Sequence, residues 1–251
     1  MDELTLALEA STGSGSLALL RDGEVIAETR VAMRGHDGER LMPALVQLLR
    51  DAGVRTGDLS RLVCGSGPGG FTSLRIAAAI AKGLAESLGI ELWAASSLAI
   101  LAANDAGLGT PGGGVAGAGR SADYRAGDAN GAADRPTDVI AVLDALRGEW
   151  YAQRFARALD GTIVASGAPA LLGREALTVL ATDSGAPVVG AGGDTFPGGR
   201  AATPLARDVV RLRSGPSLAR VDLATWEPDY GRLAEAQVKW EKAHGRALGT
   251  A

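Results

Sequence analysis

The chain has 251 residues, 46% of them hydrophobic, which is enough for one large domain or for two lobes each with its own core. Its 25 basic and 29 acidic side chains leave a net charge of -4, which gives no long-range attraction for nucleic acid or an anionic membrane, so RNA would have to be held mainly by another subunit. One cysteine, Cys64, excludes an internal disulfide and a cysteine-based metal cluster; no run of 18 apolar residues offers a membrane span, and an acidic N-terminus that reads at once as a strand makes the expected location cytoplasmic.

In chain order, "LTLALE", "SLALL" and "EVIAET" predict three strands joined by tight turns. The Asp22-Gly23 pair marks a hairpin because both turn residues must tolerate positive φ. From about Asp37 to Ala52 the apolar positions Leu41, Leu45, Leu48, Leu49 and Ala52 share one helical face, with Pro43 early enough to fit the first turns. A strand "RLVCG", a glycine loop, a helix from about Thr72 to Leu88, a strand "IELWAA" and a helix from Ser96 to about Asn104 complete a first lobe, residues 1–106. Cys64, inside its apolar run, reads as a core thiol.

Residues 107–136 are rich in glycine and alanine and nearly free of large apolar side chains, so they read as a linker or insertion that cannot offset its ordering entropy by burial. A second lobe, 137–228, opens with the strands "DVIAVLDA", "EWYAQRFA" and "GTIVASGA". A helix near Arg174 to Thr182, a strand "PVVGAGG" and a helix from Ser217 to Thr225 are predicted to follow. The tail, 229–251, is polar with spaced aromatics and suits docking on either lobe or on a partner. Both halves open with strands on short turns and later place an apolar strand before a glycine cluster, which points to two related lobes rather than one sheet.

Gly65, Gly67 and Gly70 spell G-x-G-x-x-G between a strand and a helix. A dinucleotide fingerprint would need a β-α-β start, whereas this chain starts with a three-strand meander, and Glu91 begins its strand instead of ending it. A Walker loop needs Lys followed by Ser or Thr inside the loop; a serine elbow needs G-x-S-x-G and a histidine base, and neither His36 nor His244 has such a context. Two readings stand for the loop: a structural turn that binds nothing, or a phosphate contact through Gly67, Gly69, Gly70, Thr72 and Ser73 at a helix N-terminus. The helix that follows, with its alanine run and Gly83, lets another backbone approach closely, while Arg75, Lys82 and Glu86 form a charged stripe.

Taken together, "LTLALEASTGSGSLALLRDGEVIAE", "GHDGERLMPALVQLL", "GSGPGGFTSLRIAAAIAKGLA", "WAASSLAILA", "VIAVLDALRGEWYAQRF" and "EPDYGRLAEAQVKW" resemble the bacterial TsaB (YeaZ) family. The G-P-G-x-F-T-x-x-R-I block is the most specific part. The resemblance implies a two-lobed α/β fold of the actin-like ATPase superfamily, shared with sugar kinases and heat-shock chaperones. It also implies a non-catalytic subunit that pairs with the paralogue TsaD and recruits the ATPase TsaE. Together these would transfer a threonylcarbamoyl group to the adenosine next to the tRNA anticodon, with tRNA contacted only indirectly.

In that family the first two helices form the paired surface, which here implicates Arg40, Leu41, Leu45, Leu48, Arg75, Ala79, Lys82 and Glu86. No catalytic or metal residue is expected: an H-x-x-x-H pair would supply two ligands on the first helix, and this chain has His36 followed by Arg40. No cofactor of its own is expected, with ATP or ADP shared at the subunit interface as the alternative. Three departures bear on that nucleotide: Glu9 where the family has Asp, Ser73 where it has Gly, and Leu146 where relatives often carry Arg. The competing expectation is a stand-alone small-molecule kinase or glycoprotease-like hydrolase, for which Glu9 and Asp144 at strand ends are the candidate carboxylates. A homodimer through the same helices is the expectation when the partner is absent.

Overall fold

A computed structural model of the chain describes residues 3–33, 39–104, 137–158 and 160–231. The glycine-alanine segment, His36, His244 and most of the tail lie outside these.

The first sheet has six strands in the order β12-β5-β4-β1-β2-β3. Strands β1 (Leu4–Glu9), β2 (Ser14–Arg21) and β3 (Glu24–Ala32) form the antiparallel meander; β4 (Arg61–Gly65) and β5 (Glu91–Ala95) extend it in parallel from β1. The Asp22-Gly23 turn takes the positive φ that its residues foretell, 51° and 84°. β1 is buried along its whole length, which is why it reads as an apolar run rather than an alternation.

Helix α1 (Leu41–Asp51) and helix α2 (Phe71–Leu88) cover one face of this sheet. α1 starts later than the spacing suggests because the Glu39 carboxylate accepts the N–H groups of Leu41 and Met42, satisfying two free donors of the first turn. α2 ends where Gly89 takes the left-handed conformation, with φ 66°.

The second sheet repeats the plan, in the order β11-β10-β6-β7-β8 with β9 also paired to β7. Its strands are β6 (Thr137–Asp144), β7 (Glu149–Arg157), β8 (Ile163–Ala165), β9 (Ala170–Gly173), β10 (Val188–Gly190) and β11 (Arg200–Ala201). β6 pairs antiparallel with β7 and parallel with β10, as β1 does with β2 and β4. Helix α4 (Arg174–Ser184) covers the outer face through Leu177. Helix α3 (Ser97–Asn104) is apolar all round, and Ser97 to Ala103 are all buried in a core that takes side chains from both sheets.

The helix expected from Ser217 to Thr225 is instead strand β12 (Leu218–Arg220), antiparallel to β5 at the edge of the first sheet. The Asp222 carboxylate then accepts the Ala224 N–H and turns the chain. A free sheet edge satisfied these backbone groups sooner than a helix with one apolar turn could.

Candidate functional site

The C-terminal ends of β1, β4 and β5 converge on the glycine loop. Glu9 closes β1 with its carboxylate fully buried. Oε1 accepts the Ser11 N–H at 2.6 Å and Oε2 accepts the Ser97 hydroxyl at 2.8 Å. Ser97 Oγ in turn accepts the Gly67 N–H at 3.1 Å, so one serine of α3 ties the strand end to the loop. Burial is the main influence on Glu9 and pushes its pKa up, against the pull of the hydrogen bonds from Ser11 and Ser97.

The loop glycines answer to close packing within the chain. A Cβ at Gly65 would fall on Glu9 Oε2, one at Gly69 on the Ser11 carbonyl, and one at Gly67, whose φ is +90°, on the Asp229 carbonyl. The Gly70 N–H donates to Ser11 O at 2.8 Å, so the entry to α2 already faces a carbonyl oxygen of this chain. Ser73 is buried and its hydroxyl donates back to Gly70 O, while Thr72 is exposed. Ser11 Oγ is buried beside these groups and makes no hydrogen bond among the described residues.

The helix residues divide differently from expectation. Leu41, Leu45 and Leu48 are core residues of the first lobe, 0%, 1% and 6% exposed, so the leucines expected at a partner face cannot form it. The periodicity located the apolar stripe correctly, but that stripe is spent on the chain's own sheet. The outward side of α1 instead shows Met42 and Val46, 37% and 41% exposed, with Arg40 exposed at the helix start. On α2, Ala79, Gly83 and Glu86 are exposed, and a Cβ on Gly83 would meet nothing within 4 Å.

Arg75 and Lys82 are engaged by a strap that no sequence pattern revealed. The Arg75 guanidinium lies 4.2 Å from the Phe71 ring centre and 5.5 Å from that of Tyr230. The two rings are themselves 4.7 Å apart. Lys82 Nζ donates to Trp226 O at 2.9 Å, and the Asp229 N–H donates to Ser66 O at 2.7 Å. The spaced aromatics of the tail were the one signal, and they did not say where it lands.

Between the lobes lies a cleft of about 530 Å³, bordered by Ser66–Pro68, Gln153, the loop 167–169, Ser217 and Asp229. Asp229 is the one charged residue among the described residues that line it, and none of these is a lysine or arginine that would offer a counter-charge to a phosphate. Among the described residues no group of three or more His, Cys, Asp or Glu is placed to hold a metal ion, and no helix is long and apolar enough to cross a membrane.

Asp144, the second-lobe counterpart of Glu9, is exposed, and its Oδ1 accepts the Leu146 N–H at 2.7 Å. The turn it stabilises holds Leu146 and Arg147 at φ 63° and 59°. Both candidate carboxylates therefore serve their own strand ends, and Glu9 has no open path to a substrate.

Two lobes of one topology, joined through a shared buried helix, define an actin-like ATPase fold, and the family model for "TsaD: tRNA N6-adenosine threonylcarbamoyltransferase" matches residues 27–125. The curated relatives are more specific. The chain is 43% identical over 99 residues to the Bacillus subtilis "tRNA threonylcarbamoyladenosine biosynthesis protein TsaB", an alignment covering 39% of this chain and 43% of the relative. It is 32% identical over 156 residues to the Escherichia coli protein of that name, covering 62% and 56%. The chain thus spans about half the length of the curated relatives it matches. Among solved structures, YeaZ from Pseudomonas aeruginosa superposes with a TM-score of 0.61 at 26% identity, covering 83% of this chain and 89% of that one. A protein described as having similarity to peptidase YEAZ from the same organism superposes at 0.66 with 26% identity, covering 92% and 100%. Over these stretches the chain is similar to proteins of the TsaB/YeaZ family.

Proposed function

We propose that this chain acts in tRNA threonylcarbamoyladenosine formation as a non-catalytic dimerisation subunit, pairing with TsaD and helping to recruit TsaE. The pathway follows the names of its TsaB relatives. The observation that supports a scaffold role best is the outward surface of the two N-lobe helices. Met42 and Val46 lie exposed on α1, and α2 presents Ala79 and Gly83, small enough for a partner helix to pack backbone against backbone. The revised interface is therefore Met42, Val46, Ala79, Gly83 and Glu86, with Arg75 and Lys82 at its border.

The surroundings of the two candidate carboxylates favour this reading over a kinase or hydrolase. A general base must reach its substrate, whereas Glu9 is sealed by Ser11, Ser97 and the glycine loop, and Asp144 caps a turn. An ATP or ADP shared with a partner would take its phosphate contacts mainly from that partner, since the described lining of the cleft offers one carboxylate and no cation.

Light scattering on a column run of this protein mixed with TsaD tests the reading. A one-to-one complex is expected, lost in Ala79→Glu and kept in Asp144→Asn. Separate peaks for the unsubstituted proteins, with and without ATP, would overturn it.

A further inference from the structure

Strand β3 ends the first sheet, and no strand among the described residues pairs with its outer side. Its register with β2 runs unbroken from Ala27 opposite Leu19 to Ala32 opposite Ser14, and the Met33 N–H then donates to Gly13 O at 3.0 Å. Met33, Val31 and Thr29 therefore turn their backbone groups toward β2, while Ala32, Arg30 and Glu28 turn N–H and C=O to the open edge. A row of such groups is a template for another strand.

The side chains along this edge restrict which strand can pair there. Glu28 and Arg30 stand two residues apart on one face, and both are exposed. Glu28 meets Arg207 at 2.8 Å, whereas Arg30 makes no ion pair or hydrogen bond among the described residues. A strand without the opposite charges at the same spacing leaves one of the two unanswered. A second copy of β3, antiparallel and centred on Thr29, answers both. Glu28 then lies opposite the partner's Arg30, and Arg30 opposite the partner's Glu28, on either side of a two-fold axis. These are the residues whose N–H and C=O groups face the open edge, so the charges and the backbone ladder ask for the same register. On the other face Ala27 lies opposite the partner's Val31, and Thr29 opposite the partner's Thr29, side chains that suit a strand pair. Sliding the centre to Glu28 sets carboxylate against carboxylate, and sliding it to Arg30 sets guanidinium against guanidinium.

We propose that the outer edge of β3 is a self-association site, where a second copy of this chain adds its own β3 antiparallel in the register centred on Thr29 and the two first-lobe sheets become one. This surface is not the one that Ala79 and Gly83 form on α2, and the inference does not depend on the proposed role with TsaD.

Two experiments on the full-length protein test it. Thr29→Cys places two sulfurs at the axis, in a non-hydrogen-bonded pair whose Cα atoms would lie about 4.5 Å apart, within the range that a disulfide spans. Mild oxidation with oxidised glutathione is expected to give a disulfide-linked dimer, while Glu24→Cys at the far end of β3 stays monomeric. Cys64 is buried and stays unreactive in both. In sedimentation velocity over a concentration series, Glu28→Arg and Arg30→Glu should each weaken self-association by roughly tenfold or more, because each sets like charges across the axis. Mixed in equal amounts, the two variants should associate again, since one then offers two cations and the other two carboxylates. Ala79→Glu should leave self-association unchanged. A parent that stays monomeric throughout the series would overturn the proposal, as would equal disulfide yields at positions 24 and 29. Association that survives both charge reversals would overturn it too, and its loss in Ala79→Glu would then put the second copy on the helices.

Discussion

β1 and β6 occupy the same place in their respective lobes, each paired antiparallel with the strand that follows it and parallel with a later one, and each ends in a carboxylate. Glu9 and Asp144 even accept the same hydrogen bond, from the N–H two residues on. Their surroundings are opposite. Glu9 is covered by a glycine loop and a buried helix, whereas the Asp144 turn projects into solvent with Leu146 63% exposed at its tip. A local turn motif therefore fixes the direction of a side chain, and what packs over it fixes the chemistry left to it. In the first lobe that packing converts a strand end into a structural joint.

The largest expected effect breaks this contrast at its tightest point. Gly65→Ala puts a methyl where Glu9 Oε2 sits, and Glu9 cannot retreat to solvent. A loss of about 3 kcal/mol or more is expected, a fall of roughly 10 °C in melting temperature. Gly192→Ala in the second lobe meets no atom closer than 3.9 Å, so its cost is the left-handed φ alone, about 1 kcal/mol. Equal losses in urea titrations of the two variants would show that the first-lobe loop is no more constrained than the second.

A pH series sharpens the same comparison. Burial raises the folded-state pKa of Glu9, so the folded protein holds a proton that the unfolded chain has already lost. Stability is therefore expected to fall as pH rises from the ordinary carboxylate value through the raised one. Glu9→Gln should gain on the parent as pH rises past the ordinary carboxylate value, whereas Asp144→Asn, an exposed change, should cost no more than about 0.5 kcal/mol at a fixed pH. Asp208 adds a dependence of the same sign: burial raises its pKa to about 6 against the nearby Arg207, Arg211 and Arg30, and Glu28 adds to the rise. The decisive quantity is thus the difference between the Glu9→Gln and parent curves, which should widen with pH; parallel curves would mean that Glu9 is not the buried proton-holder.

The strap supplies a smaller effect. Tyr230→Ala removes one face of the Arg75 stack and the contact with Phe71, and should cost about 1 kcal/mol. A matching rise in hydrogen exchange at Ser66–Gly70 is expected, because the Asp229 N–H is held on Ser66 by the same segment.

Much of this fold was legible in the chain because its cues are local. Asp22-Gly23 dictates a hairpin, and uninterrupted apolar runs mark the central strands. The doubling of the lobes was legible from the order of elements alone. What escaped depended on distant partners. The leucines of α1 announce an apolar face, but nothing in their spacing says whether their own sheet or another protein covers it. The G-x-G-x-x-G spacing announces close backbone approach; the approaching groups within the chain are Ser11, 59 positions before Gly70, and Asp229, 162 after Gly67. Leu218 to Arg220 carry no strong strand pattern and pair because an edge stood open.

The smallest effect bears on the proposed interface and works by opposition. Gly83 sits within α2, exposed, where glycine costs a helix about 0.5–1 kcal/mol relative to alanine and where no neighbour among the described residues demands it. Gly83→Ala should therefore stabilise the isolated protein by that amount, read as a higher urea midpoint at unchanged slope. If the glycine is there so that a partner helix can pack backbone against backbone, the same methyl separates the two helices and should weaken binding of TsaD several-fold by titration calorimetry. Stability and affinity moving in opposite directions would tie the residue to the interface, because a purely intramolecular role would move neither against the other. Higher stability with unchanged affinity would place the partner away from this face of α2.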